Sequence, residues 1–162
     1  MSDGRNEPKI VRNDLPDEAL LVDFLNTIDV EEGSDLLRTE AGLQEWAAGH
    51  GLAPGERTEA VKVRDALRSL VAGGRPDLPS VSLRPSCDGG GVSLRSDTAA
   101  EAALAAALTL SIQGRIPRVK LCQSETCQFA YFDQSRNGSR AWCSMEVCGN
   151  RAKARTFRAR RA

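Results

Sequence analysis

Four of the five cysteines stand late in the chain as two equally spaced pairs, Cys122-x4-Cys127 and Cys143-x4-Cys148, with 15 residues between the pairs. Two short loops that each offer a pair of thiolates suit zinc, which takes four sulfurs tetrahedrally. With sulfur at all four positions no coordination site stays open, so the spacing predicts one structural Zn2+ rather than hydrolytic zinc chemistry.

The elements around the cysteines must bring the pairs together. Arg118–Leu121 reads as a strand entering the first knuckle and Phe129–Phe132 as a strand leaving it, with a turn at Asn137-Gly138. Five of the seven aromatics, Phe129, Tyr131, Phe132, Trp142 and Phe157, fall in this segment and are expected to pack mostly around the metal. Gly149 and Asn150 tolerate positive φ and predict a turn out of the second knuckle. Beyond them the chain reads as a helix with six basic groups and no acid. Arg151, Arg155 and Arg158 share one stripe, Lys153 and Arg160 flank it, and Phe157 is expected to anchor the other side to the zinc core. Like charges at i, i+4 destabilise a lone helix, so an anionic partner accounts for them better than solvent does. A helix that carries arginines suits the major groove of double-stranded DNA. Arg136 and Arg140, in the 135–140 hairpin, are placed to grip phosphate.

Charge separates this segment from the rest. The chain has 162 residues and no net charge, yet residues 1–114 hold 11 basic and 19 acidic groups, a net −8, and the last 48 hold 11 basic and 3 acidic, a net +8. Such asymmetry points to a polyanion met by one half only.

The acidic half reads as mainly helical. Residues 1–13 are expected to be a flexible tail. Leu21, Phe24, Leu25 and Ile28 predict a helix over about 17–28, opened by Pro16 and by Asp17 and Glu18 at the positive end of the dipole. Helices follow over about 39–48 and from near Pro54 to Gly73-Gly74. Val81–Arg84 and Val92–Arg95 alternate and predict a small hairpin whose loop is longer than a tight turn. Thr98 and Glu101 form a capping box for an alanine-rich helix through about Gln113, with Leu104, Leu108 and Ile112 toward the core. The fold class is therefore α+β, mainly helical: a helical domain over 14–114, then a zinc module of short strands and a basic C-terminal helix over 116–162.

No catalytic constellation emerges, and no enzyme is expected. The one histidine, His50, stands between two glycines at a helix exit and reads as a surface residue. Gly89-Gly90-Gly91 lacks the strand-to-helix context of a phosphate loop and reads as a flexible hairpin loop. Cys87 has no thiol partner. Asp23, Asn26 and Thr27 share the polar face of the first helix. They are either solvated and bonded to nearby backbone or the lining of a pocket for a small-molecule effector. The longest apolar run falls far short of the roughly 20 residues that span a bilayer, and no signal peptide is visible. Clustered cysteines suit metal binding in a reducing cytoplasm.

The segment Cys143-Ser144-Met145-Glu146-Val147-Cys148-Gly149-Asn150-Arg151-Ala152-Lys153-Ala154-Arg155, preceded by Phe132-Asp133-Gln134-Ser135, Arg140 and Trp142, closely resembles the CGNR zinc finger family over about residues 116–161. Proteins of that family commonly carry an N-terminal ABATE domain. Val22-Asp23-Phe24-Leu25-Asn26-Thr27 is similar to the motif near the start of that domain, with Trp46, Gly51 and Leu52 in its expected order. The resemblance implies a bacterial transcription regulator with a zinc-dependent DNA-binding end; the N-terminal domain is expected to sense a small-molecule effector or to form a homodimer. An RNA- or protein-interaction zinc module is the alternative, and a thiol redox switch the third reading.

Overall fold

Proline at the N-cap and two acids in the first turn start the first helix, α1 (Asp17–Leu25), and Asn26 is its C-cap, its backbone N–H bonded to the last turn. In the computed structural model, which describes residues 15–88 and 91–161, α1 buries Leu20, Leu21, Phe24 and Leu25. It ends three residues before the expected Ile28, because Ile28–Asp29 (β1) pairs antiparallel with Ser34–Asp35 (β2). The tail over 1–13 and the glycines at 89–90 lie outside the described residues.

Asp35 accepts from the Leu37 N–H at 2.9 Å and starts a 3-10 turn over Leu36–Arg38. Thr39 caps α2 (Glu40–Gly49) by accepting from the Gly42 N–H at 3.1 Å. Gly42 is required by close approach: a Cβ there would stand 2.0 Å from the Leu36 carbonyl oxygen. Helix α3 (Arg57–Val71) buries Val63 and Leu67, and its Arg64 is 2 % exposed, held by Asp35 at 2.5 Å and Asp65 at 3.0 Å. Paired this way a buried guanidinium is tolerated; alone it would carry a large desolvation cost.

The hairpin forms, but with a later start and a tighter link than the alternation indicates. Strand β3 (Arg84–Asp88) pairs with β4 (Gly91–Arg95) from Arg84↔Arg95 to Asp88↔Gly91, so Val81–Leu83 stay outside it. The capping box at α4 (Ala99–Ile112) is present in both directions, Glu101 N–H to Thr98 Oγ1 at 3.4 Å and Thr98 N–H to Glu101 Oε2 at 3.2 Å. Its buried face is the expected one only in part, at Leu104, which packs against the core. Alanines at 99, 100, 102, 103 and 105–107, with Leu110, fill the core, while Leu108 and Ile112 are 43 % and 79 % exposed. Alanine lets neighbouring backbones approach, and α1 and α3 pack against this helix.

The chain then turns through Ile116–Arg118 into β5 (Val119–Leu121), which pairs antiparallel with β6 (Ala130–Phe132). This pair carries the first two cysteines on its flanking loop. It also belongs to the N-terminal core, since Val119 and Ala130 are buried in the same cluster as Leu21, Phe24 and Leu67. Helix α5 (Asn150–Ala159) completes the order.

Candidate metal centre and nucleic-acid interface

The first knuckle follows directly from β5. The Cys122 N–H donates to the Phe129 carbonyl at 2.9 Å, and the N–H groups of Cys127 and Gln128 turn back to the Ser124 carbonyl at 2.9 and 3.1 Å. Gln128 closes the loop in the left-handed region at φ +51°. The second knuckle is fastened to the first by the Gln123 N–H to the Ala141 carbonyl at 3.0 Å.

These loops bring all four Sγ atoms within 4.8 Å of one another. Cys127 and Cys143 stand 3.6 Å apart, Cys143 and Cys148 3.7 Å. Four sulfurs on a tetrahedron with zinc–sulfur bonds of about 2.3 Å would be about 3.8 Å apart. A disulfide needs about 2.0 Å. The spacing therefore fits a shared zinc ion and no disulfide. Electrostatics agree: burial pushes the Cys143 thiol up and the Cys148 thiol up to about 11. At Cys122 burial is outweighed by hydrogen bonds from the Cys143 and Ser124 backbone, and its thiol is lowered. Four thiolates so close together are tolerated only around a cation, and zinc supplies it.

The second knuckle is not a turn away from the metal. Residues Met145–Gly149 form one π-helical turn, capped by Ser144, and run straight into α5. Gly149 and Asn150 both adopt right-handed helical angles, contrary to the expected positive φ. Glycine is present for space: an added Cβ would meet Met145 Sδ at 2.8 Å and Trp142 Cδ1 at 3.4 Å. Cys148 thus lies on the same helical stretch as the basic residues, and the metal fixes the direction in which α5 points.

A second hub sits beside the metal. The Asp133 carboxylate is fully buried and accepts from Lys120 Nζ at 2.7 Å, Ser135 Oγ at 2.6 Å, the Ser135 N–H at 2.9 Å and the Arg140 N–H at 3.0 Å. Lys120 also donates to the Gly138 carbonyl at 2.5 Å and the Arg140 carbonyl at 3.2 Å, so it closes the 133–140 loop. Lys120 first, and then Ser135, hold the Asp133 carboxyl well below the usual carboxylate range. With its folded value depressed, the carboxylate contributes stability above the unfolded value of about 3.9, and that contribution is lost as pH falls through the folded value. Asp133→Asn should lower the melting temperature at pH 7, because Lys120 is left without its counter-charge; scanning calorimetry on zinc-loaded protein checks it. Sequence reading passed over Lys120; the Asp133-x-Ser135 spacing, an Asx-turn signature, is the signal that could have found it.

The residues expected to meet DNA divide into three groups. Lys153, Arg155 and Arg158 on α5, Arg160 just past its end, and Arg136 in the loop are exposed, and their side chains have no bonded partner among the described residues. Arg151 is exposed but paired with Glu31 of the β1–β2 loop at 2.6 Å. Arg140 is used internally: its guanidinium donates to the Trp142 carbonyl at 2.7 Å and to the Cys143 carbonyl, and lies 5.0 Å from the Tyr131 ring centroid. It braces the second knuckle. Phe157 does not reach the zinc core; it is 57 % exposed, with the Arg161 guanidinium 4.3 Å from its ring centroid. Tyr131 and Trp142 do pack at the metal, whereas Phe132 joins the N-terminal core and Phe129 is 44 % exposed.

Asp23, Asn26 and Thr27 are not brought to one pocket. Asp23 accepts from Trp46 Nε1 at 2.8 Å, with His50 Nε2 at 3.1 Å. His50 Nδ1 faces the Trp46 carbonyl at 2.8 Å and its ring stacks on Trp46, so this histidine is packed in rather than loose. Thr27 is buried and donates to the Phe24 carbonyl at 2.8 Å. Asn26 crosses to the zinc module, donating to the Ala130 carbonyl at 2.9 Å and accepting from the Ala130 N–H at 2.7 Å. Arg68 makes a second tie, to the Leu25 carbonyl at 2.8 Å and the Gln128 carbonyl at 2.9 Å. Asn26→Ala should therefore cost about 1–3 kcal/mol, the penalty for leaving a buried backbone pair unsatisfied, readable as a lower denaturation midpoint with zinc still bound.

No helix among the described residues is long and apolar enough to cross a membrane. Comparison with curated proteins gives no match. The CGNR zinc finger family matches residues 118–161. The ABATE family, described as "Putative stress-induced transcription regulator", matches residues 18–118. With well over half of its length matched by that second family and its four sulfurs in zinc-binding geometry, the chain belongs to the ABATE family and ends in a CGNR zinc finger.

Proposed function

We propose that this protein is a zinc-dependent, DNA-binding transcription regulator whose contact element is α5. The carrying observation is that a helix with four basic groups, followed at once by Arg160 and Arg161, and with no buried residue grows directly out of the metal knuckle. Four zinc-bound thiolates leave about −2 at the metal, so the basic segment stays cationic at about +6. If about six phosphates are engaged, the logarithm of the binding constant should fall with the logarithm of salt with a slope of roughly −5. The N-terminal domain supplies the regulatory side of the reading, as a sensor or a dimerising unit.

The exposed rings of Phe129 and Phe157 favour a second reading, stacking on single-stranded bases in RNA. Competition between duplex DNA and single-stranded RNA probes for the zinc-loaded protein separates them. Preference for duplex supports the first reading, and preference for single strands replaces it.

The Arg151–Glu31 pair adds a masking contact, since an acidic loop occupies one residue of the basic stripe. Glu31→Gln should raise non-specific duplex affinity by about two- to five-fold, the scale of one exposed ion pair. Unchanged affinity in a salt-matched titration would remove masking from the account.

A further inference from the structure

The seam between the two modules holds an open cavity of about 620 Å3. Glu18 comes to it from the N-terminal domain, Arg115 from the link between the modules, and Arg118, Phe132, Asp133 and Arg136 from the zinc module. Its charges do not cancel. Arg115 is matched by Glu18 at 3.0 Å, and Asp133 by Lys120 at 2.7 Å. Arg118 is held only by carbonyl oxygens, those of Asp133 at 3.1 Å, Ser135, and Arg136 at 3.4 Å. Carbonyls fix a guanidinium without neutralising it. Arg136 has no bonded partner for its side chain among the described residues. Two uncompensated guanidinium charges thus face the cavity, one of them pre-positioned, and the Phe132 ring supplies an apolar wall with Arg115 4.9 Å from its centroid.

We propose that this cavity binds a small organic anion, an oxyanion carried on an apolar body. The volume lies within the range of small-molecule sites, about 300–1,000 Å3, and the lining is charged and polar except for the Phe132 ring, so the oxyanion is the part it would hold most firmly and the ring the one surface for an apolar body. Planar guanidinium groups suit both carboxylate and phosphate oxygens. The position gives the ligand a regulatory use. Arg115, in the link into the zinc module, reaches back to Glu18 of α1, 97 residues away in sequence, and an anion competing for Arg115 would loosen that tie. As an effector site, the cavity deepens the reading of the protein as a regulator and replaces the Asp23, Asn26 and Thr27 face.

The test is calorimetric titration of the full-length, zinc-loaded protein with benzoate, phenyl phosphate and inorganic phosphate, in the absence of DNA. Benzoate and phenyl phosphate distinguish the two oxyanions, and inorganic phosphate shows whether the apolar body matters. Saturable binding of either aromatic anion is expected, weakened at least about tenfold by Arg136→Ala, a substitution at an exposed side chain. The variant carrying Arg155→Ala and Arg158→Ala should bind the probe as the parent does. Amide shifts at 114–118 and 132–136 should move on titration. No saturable binding, or binding lost with the α5 arginines and kept in Arg136→Ala, overturns the proposal. DNA affinity, measured separately, decides the DNA-binding reading whichever way the titration ends.

Discussion

Stripping zinc with a chelator should unfold the segment from 119 to 161 and lower the stability of the remainder. Structural zinc sites contribute an apparent ~10–16 kcal/mol near neutral pH, as much as or more than the ~5–15 kcal/mol that stabilises a whole domain. Few other groups hold this part together. Its own buried cluster is Cys122, Tyr131 and Cys148, with Cys127, Trp142 and Cys143 packed against it. The effect should not stop at the module boundary, because Val119 and Ala130 sit in the N-terminal core. The near-UV circular dichroism should collapse on metal removal and return with zinc. The melting transition of the N-terminal helices should move down with it. A metal-free protein, verified by elemental analysis, with an unchanged near-UV spectrum and melt would show that the four sulfurs do not carry the fold.

Replacing Arg155 and Arg158 by alanine should leave zinc content and melting behaviour unchanged and remove most of the duplex affinity. Both side chains are exposed and bonded to no other described residue, so their loss opens no cavity and orphans no partner. Each phosphate contact removed should flatten the salt slope by about one, from roughly −5 to roughly −3 for the pair. At near-physiological salt the double variant should bind about 10- to 100-fold more weakly. A filter-binding series at several salt concentrations reads both quantities. Retained affinity with an unchanged slope would move the contact away from α5. Arg140→Ala should behave differently, losing zinc-module stability first, since its guanidinium braces Trp142 and Cys143.

The contrast between Arg155 and Arg140 marks where the sequence was legible. Metal ligands are recognised by local spacing, and the two x4 pairs meet as expected because each knuckle is closed by hydrogen bonds within a few residues. Charge along α5 is equally local. Arg140 could not be sorted in the same way, because its partners are carbonyl groups placed by the metal. Asn26 was harder still: its partner lies 104 residues on, and the polar face that it shares with Asp23 and Thr27 looks the same whether it binds a ligand, solvent or backbone. In α4 the apolar period failed for another reason. A helix made largely of alanine has little contrast between faces, so Leu108 and Ile112 drew attention while seven alanines, with Leu110, made the contact. Phe157 and Gly149 show one shared error, the assumption that the second knuckle ends in a turn. A continuous helix carries Phe157 out into solvent and makes Gly149 a matter of space.

The Asn26 amide has a consequence for how the molecule behaves in a crowd. Strand β6 has β5 on one side only, and Phe129 and Asp133 spend their backbone groups there. Ala130 turns its N–H and carbonyl the other way, and one side-chain amide takes both, as a neighbouring strand would. A free strand edge is a template for another chain. Asn26 is thus a guard as well as a fastener: it occupies the outward N–H and carbonyl of Ala130, where a second molecule could begin to add on.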